Sequence, residues 1–191
     1  MPALVFIDGN ELRAAQVRRI LADAGFAAEL TIAALQTGFS TSAPEPGQRA
    51  RDKLLAHAIG AACFAEAVDL TTVEGKSLRL ELDSENENRF CKWWRETPAK
   101  MQLVVALRRA AGAEIELVTA MCDGRIADKP AGPHALGWDR LFVPEGEDAT
   151  LAQLIEAGEI SGFRREAYLA LGTALGIARG AALDTARAPE A

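Results

Sequence analysis

The stretch from Cys122 to Leu154, CDGRIADKPAGPHALGWDRLFVPEGEDATLAQL, decides the fold predicted for this chain. Within it, the aromatic residue Trp138 is followed directly by the carboxylate residue Asp139, and Phe142-Val143-Pro144-Glu145-Gly146 is typical of a short apolar strand stopped by a turn. A flat ring beside a fixed acceptor can hold a heterocyclic base, by stacking on its face and hydrogen bonding at its edge. The same residues allow a second interpretation, with Trp138 a core aromatic and Asp139 a turn former.

The order of motifs along this stretch resembles that of the inosine triphosphate pyrophosphatases, enzymes that remove non-canonical purine nucleoside triphosphates. A run of this length is far more specific than any three-residue motif. The resemblance implies an α/β fold of that type, with two lobes, a mixed sheet and a central cleft. The matching motifs are Gly124-Arg125-Ile126, Gly137-Trp138-Asp139, Phe142, Pro144-Glu145-Gly146 and Thr150-Leu151-Ala152-Gln153-Leu154.

Length and composition predict a soluble globular protein. The chain has 191 residues, enough for one domain with its own core, and we expect a single two-lobed domain over 1–180 followed by a frayed tail over 181–191. The net charge of −6 opposes binding of nucleic acid over a broad surface. No apolar run reaches the length of a membrane span, and three scattered cysteines suggest neither disulfides nor a zinc site. We therefore expect a cytoplasmic protein without a membrane partner.

Hydrophobic periodicity predicts both strands and helices along the chain. Because they do not follow a strict βαβ alternation, the pattern favours a mixed sheet. The predicted strands are 4–7, 30–35, 64–70, 103–107 and 115–121, and the predicted helices are 11–24, 48–62, 84–95 and 164–177.

The segment FIDGNELRAAQVRRIL, residues 6–21, aligns without a gap to the first strand and helix of the same family. Gly9 permits a close approach, Asn10 can hydrogen-bond a phosphate oxygen, and the helix N-terminus favours an anion. Arg13 stands where the family has a phosphate-binding lysine, and Asp8 replaces its threonine or serine. The alternative is that Asp8 is only a helix cap and Arg13 a solvated surface charge.

Residues 48–69 also match the family without a gap. Lys53 stands at the position of its helix lysine and Asp69 at that of its second carboxylate, whereas Gln48 and Val68 replace a metal-binding glutamate and the first carboxylate. The resemblance implies that Asp69, with Gln48, holds Mg²⁺ or orients the attacking water, and that Lys53 neutralises a phosphate.

The C-terminal signature of the family is a serine, a histidine and an arginine at the head of the last helix. This chain keeps Ser161 and, displaced by one position, Arg164, and it lacks the histidine. Leu136 stands where the family has an aromatic residue that stacks on the base. The resemblance implies that Ser161 and Arg164 contact the substrate.

Taken with these motifs, the resemblance implies a homodimer that uses Mg²⁺ to hydrolyse a nucleoside triphosphate to monophosphate and pyrophosphate. In that scheme Lys53 and Arg13 stabilise charge on the triphosphate, and Trp138 and Asp139 face the base. The substitutions at Gln48 and elsewhere leave an alternative, a nucleotide-binding or regulatory protein of the same fold that has lost catalysis.

Overall fold

The fold is built on a six-stranded mixed sheet. The computed structural model describes residues 3–7, 9–26, 28–35, 43, 45–57, 59–78 and 84–176. The strand order is β2-β1-β3-β4-β5-β6, in which β1 pairs in parallel with β2 and β3 and all later neighbours pair antiparallel. The strands are β1 (Ala3–Ile7), β2 (Glu29–Ala33), β3 (Ala62–Thr72), β4 (Pro98–Arg108), β5 (Glu116–Ile126) and β6 (Phe142–Pro144).

Helices lie on both faces of this sheet. They are α1 (Glu11–Asp23), α2 (Pro46–Leu55), α3 (Ser84–Trp94), α4 (Leu151–Glu156) and α5 (Gly162–Ala174), with a 3-10 segment at His134–Arg140. Within the described ranges no helix combines the length and the apolar character needed to cross a membrane.

The side-chain alternation of β3 separates the core into two layers. Phe64 lies in the larger cluster with residues of α1 and α5, whereas Ala65 lies in a smaller cluster with Leu54 of α2. Successive strand residues point to opposite faces, so α2 covers one face of β3 and the pair α1 and α5 the other. The edge at which α1, α2 and β3 meet is where the cleft opens.

The predicted mixed sheet is confirmed, and the predicted helix over 48–62 is wrong at both ends. The helix begins at Pro46, whose fixed φ suits the first helical position, and it ends at Leu55. From Ala62 onward the chain pairs with β1, so sheet formation overrides the helix propensity of this alanine-rich segment. The helix predicted over 164–177 runs instead from Gly162 to Ala174. The tail predicted for 181–191 lies outside the described residues.

Candidate active site

A cleft of about 500 Å³ opens beside the sheet. Four segments line it: the turn between β1 and α1, the helix α2, the middle of β3, and residues 135–138. These segments lie far apart in the sequence. The parallel pairing of β1 with β3 brings the turn after β1 beside β3, and α2 packs on one face of β3.

The turn at Gly9 and Asn10 forms one wall of the cleft. A Cβ atom at Gly9 would stand 2.4 Å from the ring of Phe6, so only glycine allows this close passage of the backbone. The Asn10 side chain accepts a hydrogen bond from the backbone N–H of Arg13 at 3.0 Å and caps α1. Its Nδ2 donates to the carbonyl of Ala135 at 2.9 Å. Asn10 thus joins the helix start to the opposite wall.

Arg13 lines the cleft, and its guanidinium is engaged by two carboxylates. It forms an ion pair with Glu66 and a second with Asp139 at 3.0 Å, and it donates to the carbonyl of Leu136 at 3.2 Å. Only 11% of its side chain is exposed. These contacts exclude the solvated surface charge, and they assign Arg13 to holding α1, β3 and the 3-10 segment together.

Arg164 and Tyr168 complete this buried ion network from α5. Arg164 donates to Asp139 at 2.6 Å and lies 3.7 Å from Glu66, whose Oε2 also accepts from the Tyr168 hydroxyl at 2.5 Å. Arg164 and Asp139 are fully buried, and neither is among the described residues that line the cleft. The structure therefore places Asp139 behind the cleft wall, where its two oxygens bind guanidinium groups rather than a base.

Charge pairing sets the protonation of the ion network. Burial opposes the ionised form of Glu66. The positive charges of Arg13 and Arg164 outweigh burial, as do hydrogen bonds from Tyr168 and Arg13, and together they lower the pKa of Glu66 to about 2. Burial also opposes the charged form of Arg164. The negative charge of Asp139 outweighs this effect, with smaller contributions from Tyr168 and Glu66, so the pKa of the Arg164 guanidinium is raised. Burial and the neighbouring Glu66 raise the pKa of Tyr168, so its hydroxyl stays a donor.

The low pKa of Glu66 predicts that the fold loses stability in acid. The pKa of Glu66 is depressed in the folded state from its ordinary 4.5, so its stabilisation is complete above pH 4.5 and is lost as the pH falls through about 2. The loss in free energy of unfolding from this group is on the order of 3 kcal/mol. Urea denaturation at a series of pH values measures it, and Glu66→Gln should show a shallower pH dependence in that window. Equal slopes for the two proteins would contradict the assignment.

Residues 135–138 form the opposite wall. Trp138 is half-buried, lines the cleft, and packs edge-on against Phe90 of α3, with ring centroids 5.8 Å apart. Gly137 has φ 51° and ψ −121°, a conformation that favours glycine and lets the chain turn between its neighbours. Leu136 is fully buried in a small cluster with Ala152. Trp138 is therefore the aromatic ring that this wall presents to the cleft.

Two cations of α2 line the cleft beside β3. Lys53 donates from Nζ to the carbonyl of Glu66 at 3.0 Å. Arg49 donates to the carbonyl of Val68 at 3.0 Å and lies 3.8 Å from a carboxylate oxygen of Asp69. Their spacing of four residues places both side chains on one face of the helix.

The residues predicted to hold Mg²⁺ have other partners. Asp69 is buried, lies beside Arg49, and accepts a hydrogen bond from the backbone N–H of Leu70 at 3.2 Å. Gln48 is exposed and donates to Asp52 at 2.7 Å. Across the described ranges, no three His, Cys, Asp or Glu side chains are grouped as a metal ion requires. Of the two predicted ligands only Asp69 offers a carboxylate, and Mg²⁺ in nucleotide sites is commonly held by one or two carboxylates together with the substrate's phosphates.

The remaining predicted substrate contacts have different outcomes. Ser161 occupies the N-cap position of α5 without a side-chain cap bond, and its buried hydroxyl has no hydrogen-bond partner among the described residues. It is not among the described residues that line the cleft. Asp8 lies outside the described residues.

Comparison with known proteins identifies the family of this chain. The Ham1 family model matches residues 4–171, which is most of the chain. The chain belongs to the Ham1 family. Curated proteins similar to it carry the name dITP/XTP pyrophosphatase: one from Nocardia farcinica is 29% identical over 180 residues, covering 83% of this chain and 87% of that protein. One from Anaeromyxobacter sp. (strain Fw109-5) is 32% identical over 96 residues, covering 47% of this chain and only 40% of that protein.

Solved Ham1 structures have the same fold. The HAM1 protein from Coxiella burnetii superimposes with a TM-score of 0.65 at 19% identity, covering 93% of this chain and 100% of that chain. The Staphylococcus aureus Ham1 protein superimposes with a TM-score of 0.61 at 20% identity, covering 91% of this chain and 98% of that chain. The predicted resemblance and fold class are thereby confirmed.

The Ham1 motifs did not reveal three residues of this site. Glu66 lies between apolar residues inside a predicted strand, and such a charge indicates a buried ion pair, because isolated charges are costly to bury. Tyr168, the single tyrosine, gave no comparable signal. Arg49 could have been found from its spacing to Lys53.

Proposed function

We propose that this Ham1-family chain hydrolyses non-canonical purine nucleoside triphosphates to the monophosphate and pyrophosphate. One observation carries the proposal: the capped start of α1, the cations of α2 and the ring of Trp138 surround one cleft. A helix N-terminus and nearby cations suit a triphosphate, and an aromatic ring suits a base. The names of the relatives support deoxyinosine and xanthosine triphosphates as the substrates.

In this proposal the side chains of the cleft bind and position the triphosphate. Gly9 and Asn10 present backbone and amide groups to phosphate oxygens, and Arg13 fixes the two walls at the separation that the substrate needs. Lys53 stabilises the negative charge that develops on pyrophosphate as the α–β anhydride bond breaks. Asp69 acts through Arg49, which it helps to position. Trp138 stacks on the base.

Purified protein should release pyrophosphate from ITP, dITP or XTP, with a kcat/KM of about 10⁴ M⁻¹s⁻¹ or higher. A coupled pyrophosphate assay over a panel of canonical and non-canonical triphosphates, with and without Mg²⁺, measures it. Inorganic phosphate as the product, in place of pyrophosphate, would contradict the proposed bond cleavage. Nucleotide binding without any product would favour the non-catalytic alternative.

The homodimer, the cytoplasmic location and the single domain over 1–180 stay predictions.

A further inference from the structure

We propose that Phe90 of α3 is a positioning residue for Trp138, and that an ion pair between Glu87 and Arg140 holds α3 in the place that this role requires. The inference rests on the proposed function, in which Trp138 stacks on the base. It assigns part of the affinity for the base to a helix that lies outside the motifs of the family resemblance and is not among the described segments lining the cleft.

The backbone around Trp138 needs support from another element. Trp138 lies in the 3-10 segment His134–Arg140, whose regular geometry is interrupted at Gly137, the residue directly before it. The hydrogen bonds of a 3-10 segment have poorer geometry than those of an α-helix. Packing contacts from elsewhere in the fold must therefore help to fix the indole ring where it faces the cleft.

Phe90 provides such a contact. Its ring is buried, and its centroid lies 5.8 Å from that of Trp138, with the two ring planes 73° apart. The quadrupoles of aromatic rings favour this edge-to-face arrangement, and because it is directional it favours one orientation of the indole. Trp138 also lines the cleft, whereas Phe90 is not among the described residues that do. Phe90 can therefore orient the stacking ring without touching the substrate.

The ion pair fixes the same helix at a second point. Glu87 precedes Phe90 by three residues, so the two side chains share one face of α3. Glu87 is buried and pairs with Arg140, which follows Trp138 by two residues and also donates from Nε to the carbonyl of Gly132 at 3.0 Å. Removing one partner of a buried ion pair is strongly unfavourable, so this pair resists separation of α3 from the 3-10 segment.

This arrangement predicts that Phe90 affects the base of the substrate and leaves its triphosphate unaffected. The capped start of α1 and the cations of α2 line the cleft independently of α3. A change at Phe90 alters the support of one ring, and the groups proposed to bind phosphate stay in place. A ligand with a base and a ligand without one should therefore respond differently.

Calorimetric titration of the full-length protein at a fixed concentration of MgCl₂ tests this difference. The two ligands are α,β-methylene-ITP and inorganic tripolyphosphate, which has no base. Phe90→Leu should weaken binding of the nucleotide by about three- to tenfold, the range expected from a favourable aromatic pair, and should change tripolyphosphate binding by less than about twofold. Phe90→Tyr keeps the ring and should retain most of the nucleotide affinity.

A double-mutant cycle shows whether Phe90 acts through Trp138. Trp138→Leu should itself weaken nucleotide binding, and adding Phe90→Leu to it should cause no further loss, because the ring to be oriented is already absent. Trp93→Leu is the matched control. Trp93 is an aromatic residue of the same helix, 71% exposed, and not among the described residues that line the cleft. This variant should bind both ligands as the wild-type protein does.

Thermal unfolding of every variant identifies loss of fold. Glu87→Gln gives a second reading if Phe90→Leu is unstable, and it should also weaken binding of the nucleotide alone. Equal losses for the two ligands, additive losses in the cycle, or unchanged nucleotide binding by folded Phe90→Leu would overturn the inference and leave the proposed function intact. A wild-type protein that binds neither ligand would overturn both.

Discussion

Replacing Arg164 with methionine is expected to lower the free energy of unfolding by about 3–5 kcal/mol. Arg164 is fully buried, and its guanidinium serves both Asp139, at 2.6 Å, and Glu66, at 3.7 Å. Methionine keeps an unbranched side chain but removes the charge, which leaves two buried carboxylates with Arg13 as the remaining guanidinium of the network. Denaturation with urea at pH 7, followed by circular dichroism, measures the change.

The adjacent Arg165 offers a matched control for this experiment. It lies on the same helix, α5, with its side chain exposed. Arg165→Met should therefore alter the free energy of unfolding by no more than about 0.5 kcal/mol. Equal effects of the two substitutions would show that the buried ion network does not stabilise the fold as its geometry indicates.

The fold could be predicted because its signals are local or motif-based. The apolar run before Gly9 and the amphipathic pattern after it give β1 and α1 within a residue or two of their observed bounds. The order of motifs after Cys122 identifies the family, and both the family resemblance and the lack of strict βαβ alternation predict the mixed sheet. The boundary of α2 was missed because strand pairing at Ala62, which involves β1 from the start of the chain, decides where that helix must end.

The interior of the site could be predicted only in part. The sequence places Arg13, Asp139 and Arg164 among the substrate contacts, but it does not show that Glu66 and Tyr168 lie between them. These partners are separated by up to 126 positions in the chain, as with Arg13 and Asp139. A side chain that binds substrate and one that forms a buried ion pair can occupy the same position of a sequence motif. Only the three-dimensional arrangement distinguishes the two roles.

The same distinction gives Lys53 the largest expected effect on catalysis. Lys53 lines the cleft and donates from Nζ to the backbone carbonyl of Glu66, whereas the guanidinium of Arg13 forms ion pairs with two buried carboxylates. Lys53→Gln keeps a hydrogen-bond donor on a side chain that is one atom shorter, and it removes the positive charge. We expect kcat/KM for pyrophosphate release from ITP to fall by about 10²–10³-fold, the usual cost of losing one group that stabilises transition-state charge. A steady-state pyrophosphate assay measures it.

A structural role for Lys53 predicts a different pattern. If the lysine mattered only through its hydrogen bond to the carbonyl of Glu66, Lys53→Gln would lower the unfolding midpoint, and Lys53→Arg, which also donates, would restore both stability and activity fully. If its charge stabilises the leaving pyrophosphate, the glutamine variant melts near the wild-type protein yet loses kcat more than KM, because the interaction strengthens as the bond breaks. The arginine variant then recovers activity only in part, since a planar guanidinium presents its charge differently from a compact ammonium. Unchanged kcat in a folded Lys53→Gln protein would remove Lys53 from the mechanism.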